Sequence, residues 1–328
     1  MSARKQMKLQ TKIPLEKLSK NLIDYNSNVL LVGSCFVENI GGKLDYFKFQ
    51  NTQNPLGILF HPKAIETLVS DVINKKLYTE EDIFFHNEQW HSFKAHSKLS
   101  NTSKEDLLND LNTTIESTNQ QIQKATHIVI TLGTAWVYRF EKTQSIVANC
   151  HKVPQKQFTK ELLSVNEVYT SIKTIVSFIR TLNSKASIIF TVSPVRHIKD
   201  GFIENTQSKA HLIAGIHQFL NQESSSVNHQ SFYFPSYEIM MDELRDYRFY
   251  TEDMVHPSKI AIDYIWNSFH EVWISSKATK TMEEIDVVQK GMQHKPFNAN
   301  SDAHQKFLQN LEIKKSQIKS QFSHIEFK

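Results

Sequence analysis

The sequence predicts an α/β protein, a parallel sheet with helices on both faces, carrying hairpin insertions and a helical C-terminal appendage. Three observations carry this reading. Residues 28–33, 127–133 and 186–192 are short, nearly continuous apolar runs rich in β-branched residues, the pattern of strands buried on both faces. Stretches with apolar residues at helical spacing lie between them, so strand and helix alternate along the chain. Only eight glycines occur in 328 residues, against an average near 7%, so each one marks a place where the backbone turns sharply or packs closely.

Taken in order, the run at 28–33 ends in Gly33-Ser34-Cys35-Phe36 and passes into a helical stretch. Residues 83–93 read as a hairpin turning at His86-Asn87-Glu88-Gln89, and residues 135–148 as a second one turning at 141–144; both stand outside the core sheet. Residues 104–124 read as a helix capped by Ser103. The span 159–182 reads as another, with Val168, Ile172, Ile175, Val176 and Ile179 on one face. Residues 231–234 give a weaker fourth strand. After Ser258 comes an amphipathic helix with Ile262, Ile265, Trp266, Phe269, Val272 and Trp273 on one stripe, and a last helix spans about 302–322. Neither a repeat nor a linker interrupts the chain, so the expected organisation is one α/β domain over 1–277 and a helical extension over 278–328.

Composition excludes several function classes. No G-x-G-x-x-G and no G-x-x-x-x-G-K occurs, which removes the usual backbone cradles for dinucleotides and nucleoside triphosphates. The formal charge of +4 comes from 38 basic and 34 acidic residues mixed along the chain, a solvated surface rather than a nucleic-acid face. The first 21 residues contain no apolar run of the kind a secretory leader needs, and no stretch approaches 18 apolar residues. The expected setting is therefore cytoplasmic, without a membrane partner. Cys35 and Cys150 are too few for a disulfide scaffold and lack C-x-x-C spacing, so neither a zinc site nor another metal or cofactor is expected.

In an open parallel sheet, ligands bind at the carboxyl ends of the strands. Ser34 falls there, between the first strand and a helix, where free backbone N–H groups and the helix dipole favour an oxyanion. Two readings fit it: a nucleophile, or an N-cap serine without chemistry. A second segment, Thr251-Glu252-Asp253-Met254-Val255-His256-Pro257-Ser258, tips the balance towards chemistry. An acid three residues before a histidine on one tight turn can fix the imidazole's tautomer and stabilise its protonated form. Pro257 stiffens that turn and Ser258 caps the helix that follows.

Gly33-Ser34-Cys35-Phe36 resembles the motif that names the GSCFA family, and the Asp253/His256 pair resembles the last block of the related SGNH (GDSL-like) hydrolases. The resemblance covers about residues 11–269. It takes in Asn54-Pro55-Leu56-Gly57, the segment from Trp90 through His96-Ser97, Thr131-Leu132-Gly133-Thr134-Ala135-Trp136, Asn149-Cys150-His151-Lys152 and Ser193-Pro194-Val195-Arg196-His197.

This resemblance implies a flavodoxin-like three-layer sandwich and a serine esterase acting on small acyl esters, among them O-acetyl groups on carbohydrate. Ser34 would attack, His256 would move the proton and Asp253 would orient His256. Oxyanion donors would be the N–H groups of Ser34 and Gly57. Related enzymes add an asparagine after the third core strand, where this chain reads Gly133-Thr134-Ala135; either Thr134 or Asn54 replaces that donor, or the oxyanion hole is weaker. The same resemblance places His96, Ser97 and Trp136 against the substrate; Arg196 and His197, at the carboxyl end of the 186–192 strand, either bind a substrate carboxylate, phosphate or sugar hydroxyl or form a surface turn with a solvated arginine.

An acyltransferase, or a non-catalytic glycan- or metabolite-binding protein, is the alternative on the same fold. Cys35 fits two roles, a thiol nucleophile partnered with His256 or a small buried apolar residue on the first helical turn, the second being the commoner. His91 reads as structural. Gly57→Val is expected to damage turnover more than folding, and Gly215, inside a helical stretch, to tolerate alanine.

Overall fold

A computed structural model describes residues 11–223 and 230–327; residues 1–10, the start of the segment read for a leader, lie outside the described residues. The apolar runs form β1 (Asn28–Gly33), β5 (His127–Leu132) and β9 (Ser187–Val192). With β2 (Gln50–Gln53) and β10 (Ser231–Tyr233) they make a five-stranded parallel sheet of order β2-β1-β5-β9-β10. That is the flavodoxin-like order, and strand order reverses between β1 and β5. Outside it lie a hairpin of β3 (Phe84–His86) and β4 (Gln89–His91), and an antiparallel sheet of β6 (Trp136–Phe140), β7 (Ser145–Val147) and β8 (Phe158–Leu162). Asn87 and Glu88 both take positive φ, +47° and +64°, the conformation a two-residue hairpin turn requires.

Alternation along the core strands sorts side chains onto two faces. Leu30, Val32, Ile128, Ile130, Ile188 and Phe190 pack under α2 (Pro62–Ile73), α3 (Lys104–Lys124), α4 (Val165–Leu182) and α5 (Phe202–Glu223). Val29, Leu31, Val129 and Ile189 pack on the other side. There they meet α1 (Phe36–Tyr46) and, after the short turn α6 (Ser236–Glu238), α7 (Lys259–Trp273), α8 (Ser276–Gln293) and α9 (Asp302–Gln321). Ile285, Val288, Leu311, Ile318 and Ile325 from the C-terminal segment join this second cluster. Among the described residues, no helix is long and apolar enough to cross a membrane.

Two elements differ from expectation. Residues 159–162 belong to β8, not to the start of a helix: they pair with β6, and the helix begins after Ser164. That serine accepts from the Glu167 N–H while Glu167 reaches back to the Ser164 N–H, a reciprocal capping box. Strand β2 escapes a hydrophobic reading because it is Gln50-Asn51-Thr52-Gln53, a polar edge strand whose side chains bond Asp45 and the Tyr25 carbonyl. Gly215 also differs. A methyl group there would lie 2.6 Å from Val168 Cγ1 and 3.2 Å from the Tyr169 nitrogen, because α4 and α5 approach closely at this point.

Candidate functional site

At the switch point the chain leaves β1 through Gly33, whose φ of +142° suits glycine, and a methyl group there would fall 2.1 Å from the Thr131 carbonyl oxygen. The Gly33 N–H donates to Asn54 Oδ1 at 2.8 Å, tying the turn to the loop after β2. Ser34 and Cys35 then bridge to α1, with Cys35 at its N-cap. Gly133 stands opposite, at the end of β5; a methyl group on it would lie 3.1 Å from Ser34 Cβ and 3.3 Å from His197 Nε2.

The third part of the site is the turn before α7. Asp253 Oδ1 accepts from the Thr251 hydroxyl at 2.7 Å and from the N–H groups of Val255 and His256 at 2.8 and 3.0 Å. Its Oδ2 accepts the Nδ1–H of His256 at 2.6 Å. The Thr251 hydroxyl, then the His256 N–H and imidazole and the Val255 N–H, hold the Asp253 carboxyl well below the usual carboxylate range. A carboxylate only accepts, so Nδ1 carries a proton, and the tautomer this selects for the neutral imidazole has its lone pair on Nε2, where a general base needs it. Met254 makes the bend at φ +57°, Thr251 N–H closes it on the His256 carbonyl, and Ser258 caps α7 as expected.

Asp253 and His256 open onto a cavity of about 730 Å³ walled by Phe60, Trp136, Tyr138 and Val195. Cys35 lines it; Ser34 does not. Ser34 is 0% exposed, its Oγ lies 3.4 Å from the Phe36 N–H, and its own N–H extends the sheet by donating to the Thr131 carbonyl at 2.9 Å. The hydroxyl expected to attack is thus beneath the cavity surface, and its backbone donor is engaged.

Other expected donors are spent as well. Gly57 N–H donates to the Asn54 carbonyl at 2.7 Å. A side chain at Gly57, where φ is +74°, would strike His96 Cβ at 2.4 Å, so Gly57→Val would damage folding directly. Thr134 N–H donates to the Phe60 carbonyl, and its hydroxyl is shared between Ser208 and the Trp136 N–H. Asn54 Oδ1 is taken by Gly33 and its Nδ2 is buried away from the cavity without a partner. His96 and Ser97 do not reach the cavity: His96 packs on Gly57 and accepts from the Lys98 N–H.

Trp136, Arg196 and His197 do line it. Trp136 donates its indole N–H to the Glu204 carbonyl and stacks under Lys160 Nζ, 4.6 Å from the ring centroid. Arg196 acts on the protein itself: it donates to the Met254 carbonyl at 3.1 Å and lies between the rings of Phe202 and Tyr250, bracing the Asp253 turn. His197 is neutral, its pKa pushed down to about 3 by burial and by the nearby Lys209 and His256, and its Nε2 is buried and unpartnered. His91, as expected, is structural, held between Ser100 and the His86 carbonyl.

Sequence reasoning passed over Lys209. This side chain is 1% exposed and donates from Nζ to the carbonyls of Gly133 and Ser193, both at 2.7 Å, joining the ends of β5 and β9 beneath the cavity. Burial pushes its pKa down to about 7, and Cys35 is the group that opposes this. The signal was a lysine on the inward stripe Asn205, Ser208, Lys209, Leu212 of α5. Among the described residues, no group of three or more His, Cys, Asp or Glu is arranged to hold a metal ion.

The chain matches the family model described as GSCFA family over residues 28–269, and that described as GSCFA domain protein, C-terminal domain, over residues 285–328. Two solved structures are similar to it at low identity. One is a carbohydrate esterase family 3 structure from Talaromyces cellulolyticus, at 8% identity and a TM-score of 0.35, with 80% of this chain and 99% of that chain covered. The other is an acetyl xylan esterase from the rumen bacterium Butyrivibrio proteoclasticus, at 9% identity and a TM-score of 0.35, with 84% and 66% covered. No curated protein matches the chain.

Proposed function

The chain belongs to the GSCFA family, and from that premise and the geometry of its site we propose that it is an acyl hydrolase of the SGNH type, cleaving small esters by covalent catalysis. The observation that carries this reading is the 2.6 Å bond from His256 Nδ1 to a carboxylate held by three further donors, on an imidazole that borders a cavity at the switch point of the sheet. His256 Nε2 takes the proton of a nucleophile on the turn after β1 and returns it to the leaving alcohol, while Asp253 stabilises the imidazolium formed between these steps. Phe60, Trp136 and Tyr138 supply an apolar wall for the acyl group or for one face of a sugar carrying it.

Transfer of the acyl group to a second alcohol uses the same first half-reaction, and an acceptor bound in the cavity in place of water would divert the intermediate. The test is turnover of p-nitrophenyl acetate by wild type and His256→Ala, with and without added sugar. Loss of about 100-fold or more in the variant is expected, since a positioned general base contributes 10²–10⁴-fold. Faster p-nitrophenol release on adding sugar marks transfer. A folded wild-type protein without turnover, or a variant as active as wild type, contradicts the proposal.

A further inference from the structure

The nucleophile can be identified from what the β1–α1 turn exposes. Of its two candidate side chains, Ser34 is completely buried and Cys35 reaches the cavity that Asp253 and His256 border. The donors divide the same way. Ser34 N–H is consumed by Thr131, whereas the Cys35 N–H, at the head of α1, has no backbone acceptor among the described residues. The Cys35 thiol also sits against the N–H groups of Cys35 and Phe36 and near Lys209, which favour a negative sulfur, while burial and then Glu38 oppose it. Lys209 is itself fully buried and bound to the carbonyls of Gly133 and Ser193, and among the described residues no carboxylate pairs with it.

We propose that Cys35, not Ser34, is the catalytic nucleophile, making this site a Cys-His-Asp triad that works through an S-acyl intermediate. The proposal rests on the acyl-hydrolase reading above. Burial is the largest influence on the thiol and keeps it protonated at rest, so the base is needed at each turnover. His256 Nε2 takes the Sγ proton as sulfur attacks the carbonyl carbon, forming the C–S bond and an oxyanion that faces the Cys35 N–H. Collapse breaks the ester C–O bond, and His256 gives its proton to the departing alkoxide. Water then attacks the thioester, losing a proton to His256; the C–S bond breaks, the carboxylic acid leaves and the thiolate recovers the proton.

The experiment mixes wild type, Cys35→Ala and Ser34→Ala with p-nitrophenyl acetate, quenches in acid, and maps the acetyl group by peptide mass before and after neutral hydroxylamine. Expected is an acetyl on the peptide containing Cys35, released by hydroxylamine as thioesters are, with adduct and turnover falling about 100-fold or more in Cys35→Ala. Chloroacetamide should block wild-type turnover by alkylating Cys35. Cys150, which also borders the cavity but has its thiol pushed up to about 11 by burial, lies on a separate peptide and should stay unmodified. Circular dichroism reports whether each variant is folded, and the hydroxylamine chemistry of wild type decides the matter even if Ser34→Ala does not fold. A hydroxylamine-resistant acetyl on Ser34, or Cys35→Ala with full turnover, overturns the assignment while leaving His256-dependent hydrolysis standing. Absence of both turnover and adduct in folded wild type overturns the hydrolase reading and this assignment together.

Discussion

Asp253 and His256 were legible because their relation is local: an acid and a histidine three residues apart on one turn need no knowledge of the rest of the fold, and the carboxylate meets Nδ1 at 2.6 Å. Which side chain of the β1–α1 turn reaches the cavity was not. Ser34 and Cys35 are adjacent on a turn between strand and helix, where neither periodicity fixes which side chain faces out. The same limit applied to Gly57, whose positive φ was inferable from its type but whose N–H was already committed to Asn54. Buried histidines carry a consequence of their own. Burial holds His61 and His151 neutral, with pKa values pushed down to about 4, and His197 down to about 3. In the unfolded chain these groups bind protons near pH 6.5, so between about 4 and 6.5 the unfolded state holds more protons than the folded one. Their neutral burial is therefore fully tolerated above pH 6.5, and stability falls as pH drops through that window, by about 2–3 kcal/mol at most for each histidine down to pH 4.5. Denaturant midpoints measured from pH 7.5 to 4.5 should show this decline, and His61→Gln and His151→Gln should each make it shallower. Unchanged slopes in both variants would contradict the assignment.

Elements with strong apolar periodicity were legible and polar ones were not. Strands β1, β5 and β9 announce themselves as buried β-branched runs, and α3, α4 and α7 by their stripes and caps. Strand β2 forms because its backbone completes the β1 ladder, a tertiary cause invisible in Gln50-Asn51-Thr52-Gln53. In β8, Phe158 and Leu162 pair across β6 with Phe140 and Trp136, and this sheet pairing overrides the helical reading of the same residues. Helix α5 holds the other correction. Gly215 faces Val168 of α4, a β-branched side chain with little freedom to move, and the added methyl meets it at 2.6 Å. Gly215→Ala should destabilise by about 1–3 kcal/mol in chemical denaturation. Combining it with Val168→Ala should recover part of that loss; strictly additive losses would show that the two sites do not touch.

Across the whole molecule, the reversal of strand order between β1 and β5 is what assembles a site from distant segments. Cys35 arrives from the first strand, Gly133 and Trp136 from the third and its insertion, His197 from the fourth, and Asp253 with His256 from the turn before α7. Lys209 ties two of these strand ends together from below. The C-terminal helices pack on the opposite face, where Ile285, Val288, Leu311 and Ile318 extend the cluster begun by Val29 and Leu31, so they support the sheet rather than border the cavity. What the sequence could not phase, the placement of one side chain per strand end, is the part on which chemistry depends. The most direct test of the central claim is the intact mass of the protein quenched during p-nitrophenyl acetate turnover. Wild type is predicted to gain one acetyl group and His256→Ala to gain none; equal acetylation of both, or steady wild-type turnover with no acetylated protein, would contradict covalent catalysis driven by His256.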